Sequence, residues 1–445
     1  MLVKRECRTL DHPVIWTLGF DRFILLVPKD PDHYNPVMCL ESSLYTIIDC
    51  TWPGCPLGIS TELEKGYLTP AQKALFGTLP TGFLSDHTPP PSPPSTPAAV
   101  DPLRPPDDQE KPTPTNHLRT LQRAIRRRDG PLFLQTMDTI NYLLRYLKYP
   151  PLPDDVFASP LPNELMTHVR AHWAQSSPRG IPRRVLLRIV EETYQRTVGP
   201  NIAQLSRYSA FSSEVYGELM PSFTTNVVAQ TGLRTGSLLV DLGSGVGNVL
   251  VQASLATGCS AFGVEIMAGP AALARSQLQQ IRTRCRMWGV RIGDVELAEA
   301  DMLSNSRVDE LLSKADVVLV NNKVFQESRA CSLLLLSLAL WYAEFLCPPS
   351  SVNAALRPKF LDLKEGAIVV SLKPFVQPNA RVTERNVDDI CAIFDVEERP
   401  YHSGDVSWGS GGGSYYLHRV DRAGYATIRE RFKNSRAKSV RAGRR

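Results

Sequence analysis

The stretch that decides the fold is Ser237-Leu238-Leu239-Val240-Asp241-Leu242-Gly243-Ser244-Gly245-Val246-Gly247-Asn248. It begins with an apolar run that ends in an acidic residue, as a buried strand of a parallel sheet does. The three glycines let the backbone turn tightly and approach a ligand closely. A helix is predicted to start at Asn248, so the loop lies at the carboxyl end of a strand, where open α/β sheets bind ligands. A tight strand-to-helix turn without a ligand would show the same pattern.

Strands and helices alternate through the rest of this region. Apolar runs of four to seven residues, separated by helical patterns, predict an α/β fold with a parallel sheet covered on both faces. The predicted strands are residues 237–241, 261–265, 295–301, 316–321 and 367–372, and the predicted helices are residues 248–256, 271–288 and 308–314.

The glycine loop also restricts the ligand. Its third glycine comes one residue too early for the dinucleotide pattern G-x-G-x-x-G, and it lacks the lysine of a phosphate-binding loop. We therefore expect S-adenosylmethionine, which has no phosphate, with Asp241 facing its sulfonium or its amino group. Glu265 ends the second strand, where an acidic side chain can accept both ribose hydroxyls. NAD-binding proteins use the same device, and an exposed glutamate at a strand end would look alike.

Polar residues also end the next two strands. Asp301 could accept the adenine amino group, and Met302 could pack on the ring face. Asn321 and Asn322 could orient the reacting group. Neither amide is a base, but methyl transfer to a lysine needs alignment more than it needs a strong base.

Seven motifs follow one another in order: Val215-Tyr216-Gly217-Glu218-Leu219, the glycine loop, Gly263-Val264-Glu265, Val320-Asn321-Asn322, Ser371-Leu372-Lys373-Pro374-Phe375, Val406-Ser407-Trp408 and Ser414-Tyr415-Tyr416-Leu417-His418. This succession resembles the disruptor-of-telomeric-silencing (DOT) family of non-SET histone methyltransferases, over roughly residues 185–425. The resemblance implies a class I methyltransferase fold, Rossmann-like, with a mostly parallel seven-stranded sheet. It further implies an enzyme that transfers methyl groups from S-adenosylmethionine to the lysine-79 site of nucleosomal histone H3.

The resemblance also implies roles for the matched positions. Residues 216–219 and 239–248 would line the cofactor, Glu265 would hold its ribose, and Asp301 and Met302 would face its adenine. Asn321 would lie near the methyl group. Phe211, Trp408 and Tyr415 would form a narrow apolar channel for the lysine, although ordinary core packing would explain three such aromatics equally well.

The basic segments suit a nucleosomal substrate. Residues 419–445 hold ten Arg or Lys and two acidic residues, and Arg123, Arg126, Arg127 and Arg128 form a second basic run. Such segments can bind DNA phosphates or the acidic patch of the histones. A solvated tail or a nuclear localisation signal would have the same composition. We expect a nuclear protein that binds nucleosomes, with ubiquitin as a further contact and with family roles in telomeric silencing and the DNA-damage checkpoint.

We divide the chain into five regions: a poorly structured N-terminal region (1–88), a Pro-rich linker (89–115), a helical accessory region (116–210), the methyltransferase domain (211–425) and a basic tail (426–445). Residues 328–351 depart from the family as an apolar insertion, which we interpret as translated intron sequence.

Nine scattered cysteines without a C-x-x-C pair favour a reduced compartment and no metal site. The apolar stretch within residues 328–351 is too short for a membrane span of about 20 residues. We expect a monomer.

Two other functions fit the same residues. One is a methyltransferase for another substrate, and the basic tail and the Trp408 and Tyr415 motifs count against it. The other is a catalytically impaired chromatin-binding protein that keeps the fold. The intact glycine loop, Glu265 and Asn321 count against that function, while the insertion counts slightly in its favour.

Overall fold

The computed structural model describes residues 9–13, 20–24, 35–50, 117–148, 164–202, 205, 217–323, 351–380, 382–383, 389–430 and 434. The predicted Pro-rich linker, residues 89–115, therefore lies wholly outside the described residues. So does all but the last residue of the predicted insertion, and nearly all of the basic tail after residue 430. The chain forms two compact units, which divide between Val185 and Leu186.

In the residues that the structure describes, the first unit contains two strands and four helices. Strands β1 (Thr9–Pro13) and β2 (Phe20–Ile24) pair antiparallel. The helices are α1 (Pro36–Cys50), α2 (His117–Arg127), α3 (Gly130–Lys148) and α4 (Glu164–Ser176). Leu118, Leu121 and Ala124 are buried on one face of α2, and its arginines occupy the opposite face.

Helix α1 departs from the expectation of a poorly structured N-terminal region. Its start is capped by Asn35, whose Oδ1 accepts hydrogen bonds from the amides of Val37 and Met38 at 3.1 and 3.2 Å. Leu40 and Leu44 are 1% and 0% exposed, one helical turn apart. An asparagine followed by proline is a helix-start signal, so the sequence already contained the evidence for this helix.

The second unit is built on a seven-stranded sheet. Its strands are β3 (Leu238–Leu242), β4 (Ser260–Glu265), β5 (Val295–Glu299), β6 (Val317–Val320), β7 (Ile368–Ser371), β8 (Phe394–Tyr401) and β9 (Gly413–Val420). Their order is β5-β4-β3-β6-β7-β9-β8, and the first five strands are parallel. The order reverses direction between β3 and β6, which is where open sheets of this type form their ligand crevice. The predicted strands agree with the structure to within two residues at each end.

Helices accompany the sheet in this unit. They are α5 (Arg183–Thr197), α6 (Pro221–Thr231), α7 (Asn248–Thr257), α8 (Ala268–Trp288), α9 (Ser306–Leu312) and α10 (Val352–Leu356). Most of α5 belongs here and not to the predicted accessory region. A buried carboxylate explains this, because Glu192 forms ion pairs with Arg284 of α8 at 3.0 Å and with Arg196 at 2.9 Å. The predicted boundary between residues 210 and 211 lies outside the described residues.

Strands β8 and β9 pair antiparallel at the end of the sheet. The motifs on β9 were found from the sequence, but neither strand was located. Strand β8 reads Phe-Asp-Val-Glu-Glu-Arg-Pro-Tyr, in which only the two ends are buried, so it gives no apolar run.

His418 on β9 is a core residue. It is fully buried, its Nε2 accepts the amide of Phe375 at 3.1 Å, and its Nδ1 lies 3.2 Å from the carbonyl oxygen of Val369. Burial lowers the pKa of His418 to about 4. The ring is therefore neutral, with the proton on Nδ1 directed at the carbonyl.

We expect this histidine to make the fold sensitive to acid. Its pKa is lower in the folded chain than in the unfolded one, so the unfolded chain binds the extra proton and stability falls as the pH drops from about 6.5 towards 4. Between pH 7 and pH 5 the loss is about 2 kcal/mol. Urea unfolding at the two pH values measures it. The variant His418→Gln, which does not titrate, should lose less stability over the same interval, and an equal loss would contradict the prediction.

Among the described residues, no helix is long and apolar enough to cross a membrane. Within the same part of the chain, no group of three or more His, Cys, Asp or Glu side chains could hold a metal ion.

Candidate active site

The glycine loop follows β3 in a backbone conformation that residues other than glycine rarely adopt. Gly243, Gly245 and Gly247 have φ values of +88°, +54° and +80°. The amides of Gly243 and Ser244 both donate to the carbonyl oxygen of Val264, at 2.9 and 3.0 Å. The loop is therefore tied to the end of β4 before it enters α7.

Glu265 supports this loop. One carboxylate oxygen accepts the amide of Gly245 at 2.8 Å, and the other accepts the amide of Met267 at 2.8 Å. Each oxygen has a second lone pair, so the predicted contact with a ribose is compatible with these bonds. That contact stays a prediction, while the support of the loop is a role that sequence reasoning missed.

Asp241 is the buried carboxyl of the site. It is 3% exposed and lines the pocket below the loop. Burial, and to a lesser extent the nearby charge of Glu265, raises the pKa of Asp241 to about 8. A cation placed in the pocket would favour the ionised form and would lower this pKa.

Gly217, Glu218 and Leu219 form another wall of the pocket. Glu218 and Ser407 are joined by two hydrogen bonds, from the Glu218 amide to Ser407 Oγ at 2.8 Å and from the Ser407 amide to the Glu218 carbonyl at 3.0 Å. Leu219 and Val406 form an isolated antiparallel bridge. A Cβ on Gly217 would lie 2.5 Å from Trp408 Cε3, so the indole occupies the place of a side chain there.

The two neighbouring asparagines after β6 have different surroundings. Asn322 is fully buried and is satisfied by the chain itself. Its Oδ1 accepts the amides of Leu372 and Lys373 at 3.0 and 2.7 Å, and its Nδ2 donates to the Lys373 carbonyl at 2.9 Å. Asn322 therefore joins the ends of β6 and β7 and does not orient a substrate.

Asn321 instead faces the pocket. Its Nδ2 donates to the Gly217 carbonyl at 3.2 Å. Its Oδ1 is buried and has no hydrogen-bond donor among the described residues. A buried acceptor of this kind is costly unless a ligand satisfies it, so Asn321 and Asp241 together fit a bound group that carries N–H donors and positive charge.

The pocket brings together ten of the twenty-one predicted site residues. Eleven residues line it: Gly217, Glu218, Leu219, Asp241, Gly243, Ser244, Gly245, Val246, Asn248, Val249 and Asn321. Only Val249 was not predicted. It faces inwards because it is the second residue of α7, directly after the loop.

Several predicted residues lie elsewhere. Leu239, Val240 and Leu242 are fully buried, so their side chains stabilise the sheet and do not line the pocket. A Cβ on Gly247 would meet Ala274 of α8 at 3.6 Å, so this glycine faces the helix packing. In a strand that is covered on both faces, the side chains of both faces point into the core. This explains why these three predicted residues of β3 do not line the pocket.

The predicted adenine contacts lie in the turn after β5. Asp301 Oδ1 accepts the amide of Leu303 at 2.9 Å, so its carboxylate supports this turn. The Met302 methyl group would lie 3.8 Å from a Cβ on Gly243, which places it beside the glycine loop. Both roles stay predictions.

The predicted aromatic channel is described only in part. Phe211 and Tyr216 lie outside the described residues. Trp408 is half-buried against Gly217, whereas Tyr415 is 3% exposed and packs edge-on against Phe223 with ring centroids 5.1 Å apart. Burial also raises the pKa of the Tyr415 hydroxyl. The channel stays a prediction.

This strand order, with a glycine-rich loop after its first parallel strand and acidic residues at the same edge, defines a class I methyltransferase fold. The model of the family described as histone methylation protein DOT1 matches residues 194–336 and 346–420. The chain belongs to this family. The match is interrupted only at residues 337–345, so the predicted insertion of residues 328–351 was too wide: its first nine and last six residues match the family model.

Curated relatives carry a specific name. A protein of Mycosarcoma maydis is 40% identical over 326 residues, which cover 73% of this chain and 36% of the relative. A protein of Cryptococcus neoformans is 31% identical over 442 residues, which cover 91% of this chain and 60% of the relative. Both are named histone-lysine N-methyltransferase, H3 lysine-79 specific. The chain thus spans between about a third and three-fifths of their length.

Solved structures are more distant. An RNA methyltransferase from Salinibacter ruber, in complex with S-adenosyl-L-homocysteine, has 19% identity and a TM-score of 0.25, over 44% of this chain and 89% of that chain. At that score it adds nothing to the fold assignment, which rests on the strand order and the family match.

Proposed function

We propose that this protein is an S-adenosylmethionine-dependent methyltransferase that acts on the lysine-79 site of histone H3 in nucleosomes. The observation that carries the proposal is the pairing of Asp241 and Asn321 in one pocket. A buried carboxyl with a raised pKa is satisfied by a cationic ligand, and a buried acceptor without a donor is satisfied by an N–H group of the cofactor or of the amine that attacks it. Membership of the DOT1 family and the names of the curated relatives support the substrate.

The residues of the pocket suit this chemistry. S-adenosylmethionine carries its methyl group on a cationic sulfur and supplies an electrophilic carbon when it is bound. Glu218 supplies negative charge in the pocket, Asp241 does so once the bound cation has displaced its proton, and the glycine loop allows the backbone to approach the ligand. Asn321 Oδ1 can accept an N–H of the incoming amine and so align it. The half-buried indole of Trp408 would shield the amine from water, which favours its neutral, nucleophilic form.

The first unit offers a surface for nucleosomal DNA. Arg123, Arg126, Arg127 and Arg128 are all exposed at the end of α2, whereas the opposite face of this helix is buried. Rows of arginine bind phosphates largely without regard to base sequence. Nuclear localisation, a monomeric state, contact with the histone acidic patch or ubiquitin, and roles in telomeric silencing and the DNA-damage checkpoint belong to the same proposal.

Labelling separates this function from its alternatives. The full chain is incubated with methyl-labelled S-adenosylmethionine and either intact nucleosomes or free histone H3. We expect label at lysine 79 of nucleosomal H3, and little or none on free H3. Label on another molecule would indicate a different substrate, and nucleosome binding without label would indicate a non-catalytic chromatin protein.

Replacing Arg123, Arg126 and Arg127 together by glutamine should weaken nucleosome binding and reduce its salt dependence. Each lost phosphate contact lowers the slope of log K against log salt by about 0.9, so the slope should fall by up to about 3. Titration of labelled nucleosomes at several KCl concentrations measures it. The matched control replaces three exposed arginines of α8, Arg275, Arg282 and Arg286. A slope that changes no more in the α2 variant than in the control would exclude this surface.

A further inference from the structure

A chain of polar side chains connects three helices behind the pocket wall. Tyr194 of α5 donates from its hydroxyl to Glu218 Oε1 at 3.2 Å, and Asn248 Nδ2 donates to Glu218 Oε2 at 2.9 Å. Gln277 of α8 donates from Nε2 to Asn248 Oδ1 at 2.9 Å and to the Val246 carbonyl at 2.8 Å. Glu218, Asn248 and Val246 line the pocket, whereas Tyr194 and Gln277 do not line it.

Gln277 is unusual on its helix. It is 1% exposed and lies between the buried residues Ala274, Leu278 and Ile281 on the core face of α8. Both hydrogens of its amide nitrogen have an acceptor. Burying an amide among apolar side chains costs free energy unless its hydrogen bonds are made. The two hydrogen bonds of Gln277 therefore hold it, and the groups that accept them, in fixed positions.

That role follows from the asymmetry of the asparagine amide. The two ends of Asn248 differ, one being a donor and the other an acceptor. Because Gln277 donates to Oδ1, the NH₂ group of Asn248 has to face Glu218. Without Gln277 the Asn248 amide would keep only its bond to Glu218 and could rotate about its side-chain torsions, so Glu218 Oε2 would be held less firmly.

We propose that Gln277 is a positioning residue for the cofactor. It fixes the Asn248 amide, which with Tyr194 holds the Glu218 carboxylate in place at the pocket wall. The residue acts on the affinity for S-adenosylmethionine and leaves the rate of the transfer step unchanged. This inference rests on the proposed function of the same pocket.

The variant Gln277→Met tests it, because methionine has a similar length and no amide. We expect the dissociation constant for S-adenosylmethionine, measured by calorimetry, to rise about tenfold. The KM for the cofactor should rise with it, while kcat at saturating cofactor stays within about twofold. A merely structural role would lower the melting temperature without this separation of KM from kcat.

Gln252 of α7 provides a matched control. It is 3% exposed, and its Nε2 donates to the Pro221 carbonyl at 2.8 Å and to Thr225 Oγ1 at 3.3 Å. The variant Gln252→Met therefore removes the same group from a similar environment, outside the polar chain. We expect a comparable fall in melting temperature and an unchanged dissociation constant.

Two further variants test the same polar chain, and the first of them, Tyr194→Phe, keeps the inference falsifiable if Gln277→Met folds poorly. Tyr194→Phe removes only the hydroxyl, and we expect a rise of about threefold in the dissociation constant. In the double variant Gln277→Met/Asn248→Ala, the effect should be no larger than in Asn248→Ala alone, since Gln277 acts through Asn248. Wild-type affinity in a folded Gln277→Met variant, wild-type affinity in Tyr194→Phe, or additive effects in the double variant would overturn the inference. Failure of the wild-type chain to bind S-adenosylmethionine would instead overturn the proposed function.

Discussion

Replacing Gly243 by arginine is expected to abolish the binding of S-adenosylmethionine, with a loss of at least about a thousandfold in affinity, or roughly 4 kcal/mol. The glycine has a φ of +88° and lines the pocket. An arginine there would fill the space of the ligand and add a positive charge beside a cationic sulfur. Calorimetry measures the affinity, and labelling of nucleosomes measures the activity.

The same substitution at Gly236 is the control. Gly236 has a φ of +89°, it is exposed, and a Cβ there would have no atom within 4 Å. Both variants carry the same backbone strain of about 1–2 kcal/mol, but only one changes the pocket. Cofactor binding should survive in Gly236→Arg. If Gly243→Arg retained wild-type binding, the pocket would not be the cofactor site.

The affinity for S-adenosylmethionine should rise with pH, by up to about tenfold for each unit between pH 5.5 and pH 7.5. Asp241 has a pKa of about 8 in the free protein, so it is protonated over this interval. A cationic ligand binds best to the carboxylate, and binding therefore releases a proton, which higher pH favours. The interval lies below the usual pKa of the ligand's own α-amino group, about 7.7–8.0.

The variant Asp241→Asn separates this carboxyl from the other groups. An asparagine has nearly the same shape and does not titrate, so the affinity should be lower at pH 7.5 and nearly independent of pH. Calorimetry in buffers of different ionisation enthalpy also counts the protons released, and we expect about one near pH 6.5. An equal slope in the variant and the wild type would mean that another group binds the proton.

The fold could be predicted because its signals are local. Asp241 follows a short apolar strand, three glycines follow at once, and a helix begins at Asn248. The loop, the first five parallel strands and the edge at which the acidic residues meet all followed from this pattern. Strand β8 could not be located in the same way, because four of its eight residues are charged and it gives no apolar run at the end of the sheet.

The site could be predicted less completely, because similar residues in the sequence occupy different environments. Asn321 and Asn322 are adjacent, yet one faces the pocket and the other joins two strands. Glu265 supports the loop through two backbone amides, which a sequence does not display. Gln277 gave no signal, because its partners come from residues 29 and 31 positions away.

The contact between Gly217 and Trp408 has a consequence for inhibitor design. Since the indole fills the place of a missing side chain, and since Glu218 and Ser407 are joined through their backbones, the wall of the cofactor pocket and the segment that carries Trp408 would move as one piece. A compound that enlarges the cofactor pocket by displacing this wall would also reshape the entrance proposed for the lysine. Such a compound would show mixed rather than purely competitive inhibition in its kinetics.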